Sequence, residues 1–254
     1  MHVEWQKEVV LGALRFVDEV TGRPLTAGVM LEAPGLRLLH KPNGDHVILA
    51  ADGLVPATGG DFPIDACPAS GAYSPRRSTL HLPRDADPAN AALGDSLFQP
   101  ALISMLPAGA YPTGANLALL RVTLRRTTDN ARIGNALIRL RTTPPLVPNG
   151  RSLTDAAGEA LVVVPGVPLA NAGPGATVVS DIAAQVEVLV DPATATFTAD
   201  ADIDAARAKA ALATTNFPDP DDIELRLGPS APPATPVRIG AGLTAFAKIT
   251  WAPP

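Results

Sequence analysis

Two of the four histidines lie close enough in the sequence to share a metal ion. His40 and His46 flank the dipeptide Asn43-Gly44, a strong signal for a two-residue hairpin turn. A hairpin there places the two imidazoles opposite each other, and with Asp45 or Asp52 they would form a weak metal site. The alternative, a pair of exposed imidazoles at strand ends, is favoured. We therefore expect no metal ligand among these residues.

Two acidic stretches offer further oxygen ligands, but neither has the spacing of a metal-binding loop. Asp219, Asp221 and Asp222 lack the ligand ladder and central glycine of a calcium loop, and are predicted to form a solvated turn. The stretch from Asp61 to Cys67 contains Pro63 and is predicted to be a stiff loop with a packed cysteine. Because the chain has a single cysteine, an internal disulfide is excluded.

Sequence motifs of catalysis and cofactor binding are missing. The chain contains no Gly-x-Ser-x-Gly elbow, no His-Glu-x-x-His motif and no glycine-rich phosphate loop. The short run Gly240-Ala241-Gly242 is not followed by a predicted helix, so it is interpreted as a turn or a kink in a strand. We therefore expect no catalytic residue, no cofactor and no enzyme activity.

The composition favours many short strands. The chain has 27 prolines and 21 glycines, too many for long helices or central parallel strands, while 46% hydrophobic residues are ample for a core. The net charge is −5, and the arginines between Arg121 and Arg141 alternate with Leu, Val and Ile. Alternation predicts that these guanidinium groups lie on the solvated face of a sheet, so nucleic acid is not expected as a partner.

The N-terminal residues lack the features of a secretory leader. His2, Glu4, Lys7 and Glu8 fall within the first ten residues, and no apolar h-region is present. No run of eighteen apolar residues occurs, so we expect no membrane span. The sequence predicts synthesis in the cytoplasm without a signal peptide, and an external location only as part of a released or assembled particle.

Two segments share one layout of strand, polar turn, glycine-containing kink and second strand. The first runs from Leu14 to Glu32 and the second from Leu120 to Leu140. Their apolar and polar residues alternate, which predicts half-buried strands. The second layout continues into a predicted hairpin from Thr154 to Pro165, in which Gly158 is expected to adopt a positive φ.

This pattern resembles the carboxypeptidase regulatory-like family, also called transthyretin-like or Cna-B-like, of seven-stranded β-sandwiches. The best match covers residues 120–165, and residues 13–50 match more weakly. The resemblance implies an all-β protein of two Ig-like or transthyretin-like sandwiches in tandem. Hydroxyisourate hydrolases share this fold, and Val17 to Pro24 looks like their first strand and turn. Their first-strand histidine and C-terminal Tyr-Arg-Gly-Ser are missing here, so that activity is not expected.

The module boundary is predicted at the Pro- and Gly-rich stretch from Pro107 to Gly114. The first module is assigned residues 1–112 and the second residues 113–254. One short helix, Ile203 to Ala213 with Asp202 as N-cap, is expected in the second module. The remaining strands are predicted at Tyr73–Arg84, Ala184–Val190, Ile223–Leu227 and Ala245–Trp251.

These features together predict a non-catalytic structural or adaptor protein that binds other protein subunits within a larger assembly. Phage tails and contractile injection particles use leaderless sandwich proteins in this way, which is an analogy from fold alone. One alternative is a carbohydrate- or cell-surface-binding module, although aromatic residues make up only 4% of the chain. The other is a loop-based metal hydrolase that uses His40 and His46. A small-molecule ligand is not expected.

The C-terminal strand is the predicted contact surface. Sandwiches leave edge strands with unpaired backbone groups, which proteins must cover or use. The candidate contact residues are Trp251, Phe246 and Lys248. For Trp251 the alternative, that its indole plugs the core of its own module, is slightly favoured.

Overall fold

The computed structural model describes residues 8–25, 28–50, 59–142, 149–167, 170–171, 177–178, 181–212 and 216–253. Its first seven strands, which we call module 1, are β1 (Val10–Asp18), β2 (Val29–Glu32), β3 (Leu36–His40), β4 (Asp45–Ala50), β5 (Gly60–Pro68), β6 (Arg76–Leu82) and β7 (Ala101–Met105).

The remaining elements form module 2. They are β8 (Leu117–Arg126), β9 (Arg132–Gly134), β10 (Leu137–Thr142), β11 (Gly150–Leu153), β12 (Glu159–Pro165), β13 (Ala170–Asn171), β14 (Thr177–Val178), β15 (Asp181–Leu189), β16 (Thr196–Thr198), α1 (Ile203–Leu212), α2 (Pro220–Leu227), β17 (Thr235–Gly240) and β18 (Thr244–Trp251).

Each module is a sandwich of two sheets around its own apolar core. In module 1 the strand orders are β3-β4-β1-β7 and β2-β5-β6. In module 2 they are β11-β10-β15-β17 and β12-β8-β9-β16, and β18 joins the second sheet beside β8. The alternating residues of both layouts supply these cores, for example Leu14 and Phe16 in module 1 and Leu120 and Val122 in module 2.

Apart from the third strand and the additional short strands of module 2, the two modules share one topology, which confirms the predicted tandem sandwiches. The first strand of each, β1 or β8, pairs antiparallel with the strand after the turn, β4 or β12. On its other side, each pairs parallel with the last strand of its module, β7 or β18. The first strand of each module therefore lies inside its sheet, with the strand after the turn on one side and the last strand on the other.

The third strand joins different sheets in the two modules. In module 1, β3 pairs with β4 across a three-residue loop, 42–44, between the paired Lys41 and Asp45, and not across the predicted two-residue turn Asn43-Gly44; Gly44 has a φ of 86°. In module 2, β11 pairs with β10, while β12 pairs with β8 in the opposite sheet. The predicted Thr154–Pro165 hairpin is therefore wrong, because its turn carries the chain from one sheet to the other.

One loop prediction and one helix-cap prediction are also wrong. Asp61 to Cys67 lies within the regular strand β5 rather than a stiff loop. Pro63 is tolerated there because β2 pairs only with Asp65 to Pro68, so that its missing N–H costs no ladder bond on the β2 side. The predicted helix is present as α1, but Asp202 ends a preceding 3-10 turn instead of capping the helix.

The predicted strand at Ile223 to Leu227 is instead the helix α2. Pro220 stands at its first turn, where a missing N–H is harmless. The side chain of Asp219 accepts hydrogen bonds from the amides of Asp221 and Asp222 at 3.2 and 3.3 Å. This N-cap and the acidic first turn favour a helix over the strand that alternating Ile and Leu suggested.

Helix α2 connects the two modules through a buried arginine. Arg76 of β6 is fully buried, and its Nη2 lies 2.6 Å from Asp221 Oδ2 and 3.5 Å from Asp219 Oδ1. Its Nη1 donates to the Ser104 carbonyl at 2.7 Å. The backbone amide of Arg77 also donates to the Pro218 carbonyl at 2.8 Å. Asp219 and Asp221, which are predicted to lie in a solvated turn, thus neutralise the buried Arg76 of module 1.

A second arginine completes this bridge from the side of module 2. Arg151 of β11 makes two bonds to Glu19 of module 1, at 2.6 and 2.9 Å. Its Nη1 also lies 2.9 Å from Asp221 and 2.8 Å from Glu224. Burial alone would raise the pKa of Asp221, but Arg76 and Arg151 outweigh burial and hold this pKa below its ordinary value.

Apolar contacts surround the bridge. Ile223 of α2 packs in a buried cluster with Leu106, Leu137, Leu153 and Leu189, which lie outside both sandwich cores. The side chain of Arg139 is also buried, and its guanidinium group pairs with Glu187 at 2.5 Å and with Glu224 at 3.0 Å. The prediction of a solvated arginine row is therefore wrong for Arg139.

A buried tyrosine and aspartate of module 1 pair beside the apolar contact with Leu161 and Val163 of module 2. The Tyr111 hydroxyl donates to Asp18 at 2.8 Å, and the Tyr73 ring contacts Tyr111 edge to face. Burial and the nearby Asp18 carboxylate raise the pKa of Tyr73 to about 12.

Among the described residues, neither α1 nor α2 has the length and apolar character that a membrane-spanning helix needs.

Gly22 and Gly158 have the same φ of 68°, so replacing each of them distinguishes the cost of backbone strain from the cost of a steric clash. A Cβ at Gly158 would lie 2.6 Å from the Leu124 carbonyl oxygen, whereas a Cβ at Gly22 meets nothing within 4 Å. We expect Gly22→Ala to cost about 1 kcal/mol of unfolding free energy from its left-handed backbone. Gly158→Ala should cost about 3 kcal/mol because the clash adds to the strain. Urea unfolding measures both, and equal losses would contradict the contact.

The bridge predicts a large effect at Arg76. Arg76→Met removes a fully buried guanidinium group together with its bond to the Ser104 carbonyl and its pairing with Asp219 and Asp221. Because Asp221 is 59% exposed and keeps Arg151, we expect a loss of about 2–3 kcal/mol in the free energy of unfolding at pH 7. Arg238→Met, which removes an exposed ion pair with Asp181, should cost less than about 1 kcal/mol.

The pH dependence of this loss provides a second check. Because the folded pKa of Asp221 is lowered, its pairing stabilises the protein above a pH of about 4 and is lost as the pH falls through the folded pKa. The difference between wild type and Arg76→Met should therefore shrink in acid. A difference that is constant from pH 7 to pH 3 would contradict the role of the Arg76–Asp221 pair.

Candidate protein-binding surface

Strand β18 forms an edge of its sheet. It pairs in parallel with β8 over eight residue pairs, from Thr244 opposite Leu119 to Trp251 opposite Arg126. Its other edge pairs with no strand in the part of the chain that the structure describes. Lys248 is its one charged residue, and no proline interrupts it. The strand therefore presents a row of backbone groups that a further strand can pair with.

The side chains of β18 alternate between the core and the outer face. Ala245, Ala247 and Ile249 contact the core of module 2, and half-buried Trp251 packs against the same core. Phe246 and Lys248 point outward and are exposed, Phe246 to 77%. The structure thus separates the three predicted contact residues into one core-facing indole and two outward side chains.

The outer face around β18 is only partly covered by module 1. Leu161 and Val163 of β12 are buried there against Tyr73 and Tyr111. One row across the sheet contains Leu161, Arg121 and Phe246, on three adjacent strands. Module 1 covers Leu161 at one end of this row, and Phe246 at the other end is exposed to solvent. The half of the face nearest to β18 is therefore open, while the half nearest to β12 is closed by module 1.

A cleft of about 190 Å³ marks the border between the covered and open halves. Ser74 and Gly109 lie on one side, and Arg121, Leu161 and Phe246 lie on the other. The cleft combines an aromatic ring, a guanidinium group and the carboxylates of Asp155 and Glu159. It can therefore hold one side chain of a bound segment beside the free edge.

Arg121 is a surface residue that the sequence analysis did not select. It is exposed, and within the described ranges its guanidinium group has no hydrogen bond or ion pair. The acidic residues near it are engaged elsewhere. Asp155 accepts from the amides of Ala157 and Glu159 at 2.9 Å, and the Glu159 carboxylate lies 3.5 Å from Arg207. When the two repeated layouts are aligned, Arg121 matches Arg15, and this match is the sequence signal that identifies Arg121.

The predicted histidine pair is present but has no third ligand. His40 Nδ1 lies 3.1 Å from His46 Nε2 across the hairpin. Burial and the neighbouring His40 lower the pKa of His46. Asp45 is held by Arg15 in two bonds of 2.6 and 2.9 Å, and Asp52 lies outside the described residues. In the described ranges, no group of three His, Cys, Asp or Glu residues could hold a metal ion.

No family model matches the chain, and no curated protein matches it. Two solved structures are similar to it over 96% of its length. They are the TIE protein of Bacillus anthracis, at 10% identity and a TM-score of 0.25, and the major pilin subunit BcpA of Bacillus cereus, at 8% identity and a TM-score of 0.26. The chain spans 34% and 56% of their respective lengths.

The orientations of Trp251 and Phe246 predict opposite effects of truncation. Trp251→Ala should lower the free energy of unfolding by about 2–4 kcal/mol, because it removes an indole packed on the core. Phe246→Ala should change it by less than about 0.5 kcal/mol, because the ring is largely solvated. Chemical denaturation of both variants checks this expectation. Equal stability losses would contradict the assignment of the two faces.

Proposed function

We propose that this protein is a non-catalytic structural or adaptor subunit that binds another protein through the open half of the β18 sheet face and its unpaired edge. The observation that carries the proposal is the exposed Phe246 on an edge strand that lacks a second neighbour within the described residues. Large apolar side chains beside unpaired strand edges are typical of surfaces that other chains cover.

The coupling of the modules supports an adaptor role. Two sandwiches joined by Arg76, Asp221 and Arg151 hold the β18 edge in a fixed orientation relative to module 1. An adaptor needs such a fixed geometry, since a flexible link would lose the orientation between the surfaces it connects. A phage-tail-like or contractile injection particle is the kind of assembly we propose, by analogy from fold.

The two alternative functions have less support. Sugar-binding sites usually stack aromatic rings, and the described exposed aromatics, Phe98, Phe197 and Phe246, lie on separate elements. A metal hydrolase would need more ligands than His40 and His46 provide. Glycan-array binding and metal analysis of the purified protein test these alternatives directly.

Site-specific photocrosslinking in cells that make the protein tests the proposed function. A benzophenone amino acid is placed at Phe246 and, as a matched control, at Leu225 of α2, because their side chains are equally exposed at 77% and 78%. We expect one protein to crosslink from position 246 and not from position 225.

Two results would count against the proposal. Crosslinking of the same proteins from both positions would show that Phe246 is merely exposed. No crosslinked product from position 246, with a normal melt of the labelled protein, would show that the β18 face is not a contact.

A further inference from the structure

Equivalent rows of the two modules differ in how their central arginine is neutralised. Arg15 of β1 and Arg121 of β8 occupy the same position in the shared topology, each between the strand after the turn and the last strand. In module 1 the row reads Asp45, Arg15, Leu102. In module 2 it reads Leu161, Arg121, Phe246.

The difference leaves one charge without a partner. Arg15 is held by both carboxylate oxygens of Asp45. At the position of Asp45, module 2 has the buried apolar residue Leu161, which packs against module 1. Arg121 therefore has no carboxylate in its own row. Glu159 lies two residues along β12 on the same face and in the same cleft, with its carboxylate 3.5 Å from Arg207, and Asp155 accepts from backbone amides.

A second unpaired cation lies on the same open face. Lys248 is on β18, two residues beyond Phe246, so both side chains point outward. Within the described residues it has no ion pair or side-chain hydrogen bond. Most arginines of the described chain are paired with carboxylates, so the unpaired Arg121 is uncommon, whereas Lys248 resembles Lys41 and Lys209, which also form no ion pair in the described residues.

We infer that the partner of this surface is an extended, acidic segment of another protein that adds as a strand to the free edge of β18. This inference rests on the proposed function and specifies the partner. A segment in this position would place alternate side chains on the outer face beside Phe246 and Lys248. An Asp or Glu there would supply the counter-charge that Arg121 and Lys248 lack.

The backbone edge of β18 and the charged side chains on its outer face contribute differently to binding of the segment. Main-chain bonds to β18 supply affinity that depends little on sequence, while the side chains on the outer face select the partner. Adjacent strands lie about 4.8 Å apart, so a carboxylate on the added strand can contact Lys248 directly. Arg121 lies one strand further away, opposite Phe246, so its longer side chain would have to cross this ring to reach the same carboxylate.

The test begins with the product crosslinked from position 246. Mass spectrometry maps the attached segment, which is then synthesised as a peptide and titrated against the purified full chain. We expect a segment with alternating apolar residues and at least one Asp or Glu. Arg121→Glu and Lys248→Glu should each weaken binding of this peptide by about fivefold to tenfold. The affinity of the wild type should also fall as the salt concentration rises.

Matched variants control for the change in net charge. Arg23 and Lys41 are exposed, and neither forms an ion pair in the described structure. Arg23→Glu and Lys41→Glu alter the net charge by the same amount at sites away from β18, and they should leave peptide binding unchanged. Thermal melts of all four variants confirm that each one folds.

Several results would overturn the inference while leaving the proposed function intact. One is a mapped segment without acidic residues, and another is a segment that belongs to a second copy of this chain. A third is equal binding of the peptide by Arg121→Glu and Arg23→Glu. A fourth is unchanged binding by Lys248→Glu, because a lysine that merely guards the edge against pairing needs a charge of either sign. The proposed function itself fails only if position 246 gives no specific crosslink.

Discussion

The fully buried guanidinium group of Arg76 is the constraint on which the arrangement of the two modules depends. An unpaired charge in a protein interior costs several kcal/mol, so a carboxylate must be brought to it. The carboxylates that reach it, Asp219 and Asp221, are more than 140 residues away in sequence. They lie at the start of α2, and the helix is thereby fixed against module 1 while its apolar face packs on module 2.

Fixing α2 also determines which surfaces are covered. Asp221 contacts Arg151 as well as Arg76, and Arg151 in turn holds Glu19. With the modules held in this way, Tyr73 and Tyr111 lie against β12 and close half of the outer sheet face. The other half, beside β18, is open as a consequence. The location of the candidate surface therefore follows from an electrostatic requirement in the interface between the modules.

The sequence predicted those parts of the fold that depend on local signals. Alternation indicated the strands of both layouts, and Asn43-Gly44 and Gly158 indicated turns with positive φ. The segment Ile223 to Leu227 was predicted wrongly, because its apolar residues alternate as in a strand. The Asp-Pro cap that precedes it is a local signal for a helix, and it decides the outcome together with the contacts of α2.

Other features depend on residues far apart in the chain and could not be read from local patterns. The burial of Arg139 requires Glu187 and Glu224, which are 48 and 85 residues away. The third strand pairs with β4 in module 1 and with β10 in module 2, and no local pattern distinguishes these two pairings. Among the candidate contact residues, alternation alone places Phe246 and Trp251 on opposite faces, but it does not show which face is the core.

The comparison of equivalent positions explains why the two modules need not have the same role. The pairing of the first strand is the same in both modules, so a difference between these matching rows reflects the local chemistry and not the strand order. In module 1, Asp45 neutralises Arg15, and the row is electrostatically complete without a partner. In module 2, Leu161 is used to bury the contact between the modules, and this position can no longer supply a carboxylate. The apolar residue that joins the modules is therefore the reason why Arg121 lacks a carboxylate in its row, on the half of this sheet face that module 1 leaves open.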